Sequence, residues 1–172
     1  MKKNINSHFY KGSTYIYVIG VFLVVSMLTT LSVSQLNQSI YENHAYNMQM
    51  QCYYLTYEAA DATVYVLTDD YKENRDLLRH MDYPQTNEIK HYDPEVANPD
   101  ESDIIGVSSI TVTKEIHDYY GEDREWAVAT ITTTIPDKRG SRMGEDFSYV
   151  GSVMILMDNP VVQIYNINPN SF

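Results

Sequence analysis

Thirty consecutive residues without a formal charge, Gly12 to Tyr41, constrain this chain more than any other feature in it. Their centre, Tyr15 to Val33, is 19 residues of mostly Ile, Val, Leu, Phe, Met and Tyr. A helix over that stretch would be about 28 Å long, close to the ~30 Å hydrocarbon layer of a bilayer. The stretch therefore predicts a membrane-spanning helix with lipid as its first partner.

Charge fixes the expected orientation. The first 41 residues carry only Lys2, Lys3 and Lys11, whereas the remaining 131 hold 9 Lys and Arg against 23 Asp and Glu. Basic residues stay on the cytoplasmic side of a span, so residues 1–11 are expected inside and everything after about residue 40 outside. An acidic exported body repels phosphate backbones, which argues against direct nucleic-acid binding. A cleavable secretory signal is the alternative, and Ser32-Val33-Ser34 resembles its small-x-small site. Its apolar centre, however, is normally only about 7–15 residues.

From Ser13 to Tyr83 there is no proline and only Gly20 among glycines, so a helix can run far beyond the apolar core. After a polar, tyrosine-rich stretch, Val64, Leu67, Tyr71, Leu77 and Leu78 restore an apolar stripe at i, i+3/i+4 spacing. Residues 41–81 are therefore expected as an amphipathic helix. Pro84, Pro94 and Pro99 then mark residues 82–103 as a loop. Beyond it, alternation in Ile110–Ile116 and Trp126–Ile135 predicts two strands with a hairpin loop at Asp118–Asp123. Phe147–Met157 reads as a central strand and Val161–Ile167 as a fourth. The expected fold is α+β: a long N-terminal helix whose second half packs on an antiparallel sheet of about four strands in 104–172.

No residue set proposes an enzyme. His8, His44, His80, His91 and His117 lack metal spacing and read as exposed or loop histidines. The single cysteine, Cys52, excludes an internal disulfide and a zinc cluster, and reads as a small buried thiol. Asp100, Glu101 and Asp103 lack the calcium-loop pattern and read as a solvated acidic loop. Ser108 and Ser109 have no nucleophile elbow or paired base in the sequence. No cofactor is expected.

A short basic leader, a glycine, an apolar helix entering at once, a long amphipathic continuation and a small C-terminal sheet together resemble a type IV pilin or type II secretion pseudopilin. The residues that carry this are Lys11-Gly12-Ser13 ahead of Thr14-Tyr15-Ile16-Tyr17-Val18-Ile19-Gly20-Val21. The tract Tyr53-Tyr54-Leu55-Thr56-Tyr57-Glu58-Ala59-Ala60-Asp61-Ala62 is similar to PilX-like minor pilins. The resemblance implies a leader of residues 1–12 and a filament-core helix over 13–40. It further implies that prepilin peptidase cuts after Gly12 and methylates the new amino terminus on Ser13. Tyr15, Tyr17, Val21, Leu23, Val24, Leu28 and Leu31 would anchor the chain in the membrane and later pack against other pilin subunits, delivered by a membrane assembly platform. One position departs from the family. The fifth residue after the cut is usually a glutamate that meets a neighbour's methylated amine, and here it is Tyr17. Some minor and tip subunits share that loss. The competing expectation is an uncleaved single-pass protein with an extracellular sensory or partner-binding domain, in which Tyr15 and Tyr17 are interfacial aromatics.

Overall fold

The computed structural model describes residues 7–73, 77–136 and 146–168. They fall into two compact units, one ending at His44 and one beginning at Ala45. Helix α1 (Ser7–Glu73) belongs to both, and the rest belongs to the second: α2 (Leu77–His80), β1 (Gln85–Tyr92), β2 (Ile104–Tyr119), β3 (Glu122–Ile135), β4 (Phe147–Leu156) and β5 (Gln163–Asn166). The strands form one antiparallel sheet in the order β1-β2-β3-β4-β5. This is the expected α+β arrangement of an apolar N-terminal helix with a sheet-packed continuation.

In the second unit α1 buries Cys52, Thr56, Ala59, Ala60, Thr63, Val64 and Leu67, spaced at three and four so that they share one face. Most are small, which lets the helix axis come close to the sheet. Opposite them lie Ile110 and Val112 of β2, Ala127, Ala129 and Ile131 of β3, and Val153 and Ile155 of β4, every second residue of each strand. Gly151 of β4 sits at a close approach of sheet, helix and the Ile167 side chain. A Cβ there would stand 2.9 Å from Ile167 Cγ1 and 3.1 Å from Thr56 Cγ2. On the other face of the sheet, Trp126, Val128 and Leu156 form a small cluster beneath Val162. The chain after β4 folds back to cover it through the Leu156 N–H to Val162 C=O bond of 3.1 Å.

Two expectations need correction. The 82–103 segment is not wholly loop, because Gln85–Tyr92 forms β1 and raises the strand count to five. Its sequence is polar because it is an edge strand with one buried side chain, and its prolines flank the strand instead of interrupting it. The hairpin between β2 and β3 is tighter than the expected six-residue loop. Only Tyr120 and Gly121 turn the chain, with φ of 55° and 83°, as a type I′ turn requires, and Asp118 pairs in register with Asp123. The helical stripe splits between α1 and α2. Leu78 is buried as expected, while the side chains of Tyr71 and Leu77 lie outside the described residues.

Candidate functional site

In the first unit, residues 15–41 of α1 present an uncharged helical surface. Tyr15, Tyr17, Val21, Leu23, Val24, Leu28 and Leu31 are all exposed on it, and none is buried by another of the described residues. The polar atoms scattered in this stretch are largely neutralised from within. Thr29 donates to the Val25 carbonyl at 2.8 Å, Thr30 to Ser26 at 2.8 Å and Ser32 to Leu28 at 2.9 Å. Back-bonding of this kind leaves the hydroxyl hydrogen satisfied without water. At Gly20 the missing side chain leaves a shallow notch lined by Ile16, Tyr17, Val21, Val24 and Val25. The helix is long and apolar enough to cross a membrane, which is compatible with a single-pass membrane protein. Gly12 and Ser13 lie within helical backbone of α1, and nothing further is described of their side chains; Lys2 and Lys3 lie outside the described residues.

In the second unit the unexpected feature is a row of polar side chains through the helix–sheet core. Thr56 Oγ1 on α1 lies 2.8 Å from the Cys52 carbonyl and 2.7 Å from Thr133 Oγ1 on β3. Thr133 Oγ1 lies 2.7 Å from Ser108 Oγ on β2, and Ser108 Oγ lies 2.8 Å from His91 Nε2 on β1. Thr56, Ser108 and Thr133 are fully buried and His91 is 7% exposed. On the far side of the imidazole, Nδ1 stands 3.9 Å from Glu58 Oε2, back on α1. The row therefore ties the helix to three strands and returns to the helix.

Thr56 Oγ1–H donates to Thr133 Oγ1 and also faces the Cys52 carbonyl, which only accepts. Between Thr133 and Ser108 either hydroxyl can donate, and whether Ser108 donates to or accepts from His91 Nε2 follows the imidazole tautomer.

Serine, histidine and glutamate thus stand in the order of a hydrolytic triad, but Ser108 is fully buried and Glu58 Oε2 stands beyond hydrogen-bond distance of Nδ1. The row ties α1 to β3, β2 and β1.

His91 therefore corrects the reading of the histidines as exposed or loop residues, and it gives Ser108 the paired imidazole that the sequence did not reveal. The signal available was modest: Ile89 and His91 alternate inward, and Ser108 interrupts the inward positions of Ile110 and Val112. Cys52 is buried as expected, and burial pushes its thiol up to about 11. The acidic loop has a local explanation. Asp100 accepts from Ser102 N at 2.7 Å, and Asp103 accepts from Asp100 N at 2.9 Å, forming a capping box over the short 3-10 turn Glu101–Asp103. Among the described residues no three His, Cys, Asp or Glu side chains converge as metal ligands. No protein-family model, curated protein or solved structure matches the chain significantly.

Proposed function

We propose that this chain is a minor pilin-like or pseudopilin-like subunit of a type IV pilus or related secretion or uptake filament. The observation that carries the reading is the succession of Lys11-Gly12, an uncharged helix exposed among the described residues, and continuation of that same helix onto an antiparallel sheet. On this reading the basic leader holds the N-terminus in the cytoplasm and the acidic sheet domain outside. The peptidase cuts after Gly12, where glycine lowers the cost of unwinding helical backbone by about 1 kcal/mol relative to alanine. Removing Lys2, Lys3 and Lys11 takes away the charges that resist withdrawal of the helix through the hydrocarbon layer. In the filament, neighbouring pilin helices replace lipid around Val21, Val24, Leu28 and Leu31, so apolar burial is kept while the subunit moves. The chain works by assembly and carries out no reaction.

Tyr17 favours a second reading, an uncleaved single-pass membrane protein with an external partner-binding domain, because the acceptor for a neighbour's amine is missing. Co-expression with a prepilin peptidase separates the two. Pilin-like processing shortens the chain by the first 12 residues while it stays in the membrane, and Gly12→Val blocks the shortening. A full-length chain under both conditions supports the permanent anchor.

A further inference from the structure

Strand β1 lies at the sheet edge, paired with β2 along its length and with no strand on its other side, and of its eight residues only His91 is buried. Two cavities flank its inner side. An apolar one of about 370 Å³ lies under its first half, between Asn87 and Ile89 and the helix residues Thr63 and Val66. A half-polar one of about 310 Å³ lies beside its second half, lined by Leu55, Glu58, Lys90 and Tyr92. The single fully seated side chain of this strand is thus the one that titrates in the physiological range.

Protonation of His91 leaves a hydrogen on both ring nitrogens. Ser108 Oγ, 2.8 Å from Nε2, can accept one, whereas the acceptor facing Nδ1 is Glu58 at 3.9 Å, beyond hydrogen-bond distance. The charged and titratable groups around the ring are Glu58 from α1 and Lys90 and Tyr92 from β1 itself; β2 contributes neutral Ser108 and Ile105. Lys90 is engaged by Glu101 at 3.3 Å. A buried cation whose Nδ1 proton lacks an acceptor within hydrogen-bond distance favours any state in which it reaches water.

We propose that β1 is an acid-released strap: protonation of His91 lifts β1 away from α1 and β2 while the β2-β3-β4 sheet stays folded, and Glu58 tempers the release. Burial lowers the His91 pKa below its ordinary value and Glu58 opposes that shift, which agrees with this direction. The sign follows. The released state binds the proton better, so seating of β1 is complete above about pH 6.5 and is lost as pH falls towards the depressed value.

The test is hydrogen exchange of the full-length protein in detergent micelles between about pH 7 and pH 5, corrected for intrinsic exchange, comparing β1 with β3. Opening of β1 should increase by up to tenfold per pH unit within the window while β3 is unchanged. Glu58→Gln should enlarge the acid effect, and His91→Asn should abolish it. The proposal is overturned if β1 protection does not depend on pH, if β3 loses protection in parallel, or if Glu58→Gln leaves the acid effect unchanged. The last outcome decides the matter even if His91→Asn fails to fold.

Discussion

Replacing Thr133 with valine keeps shape and volume and removes one hydroxyl from the middle of the buried row. Ser108 loses its hydroxyl partner, 2.7 Å away, in a fully buried site. Thr56 loses its acceptor at 2.7 Å but can turn its hydrogen to the Cys52 carbonyl at 2.8 Å. One unpaired buried hydroxyl costs about 1–3 kcal/mol, and the loss on the Thr56 side adds little. With a urea slope of about 2 kcal/mol per M, the unfolding midpoint should fall by roughly 1 M. Trp126, the only tryptophan and itself 1% exposed, reports unfolding by fluorescence in micelles. Thr133→Ser keeps the hydroxyl and should lose only about the value of a methyl group, about 1 kcal/mol. Adding Ser108→Ala to Thr133→Val should cost less than Ser108→Ala alone, with a coupling of about 0.5–3 kcal/mol, because the unpaired hydroxyl is gone. A neutral Thr133→Val, or strict additivity with Ser108→Ala, would refute the assigned row.

Gly151→Ala drives a methyl group into Ile167 and Thr56 and should destabilise by about 1–3 kcal/mol in the same unfolding assay. Tyr120 holds a left-handed backbone at the β2–β3 turn with its side chain 91% exposed, so Tyr120→Asn should stabilise by about 0.5–1 kcal/mol, read as a higher midpoint. Cys52 is a buried thiol with its pKa pushed up to about 11, so an alkylating reagent at neutral pH should label it only at the rate of unfolding; rapid labelling in the absence of urea would contradict its place in the core. Leu28→Arg, at the centre of the uncharged helix, should cost about 2.5–3.5 kcal/mol of membrane insertion and move part of the protein out of the membrane fraction.

What was legible in the sequence was whatever a one-dimensional period records. The apolar stretch from Tyr15 to Val33 and the spacing of Val64 and Leu67 give the helix, and alternation through β2, β3 and β4 gives most of the sheet. β1 escaped because an edge strand need bury little, and its one buried side chain is a histidine that no hydrophobic pattern counts. The polar row escaped for a different reason. Thr56 and Thr133 are 77 positions apart and His91 and Ser108 are 17 apart, and only the helix seat and the pairing of His91 with Gly106 bring them together. Threonines that read as strand propensity turned out, at position 133, to be a buried junction. The leader and cleavage point proposed at Lys11-Gly12-Ser13 are read from sequence alone, so that proposal rests on chemistry that acts on the chain.

That chemistry is tested most directly by mass spectrometry of the N-terminal peptide from native membranes, with and without the host's prepilin peptidase. The account predicts a mature terminus at Ser13, N-methylated or not, that disappears when the peptidase is absent. An intact leader beginning at Met1 in both strains would contradict it and leave a permanent membrane anchor in its place.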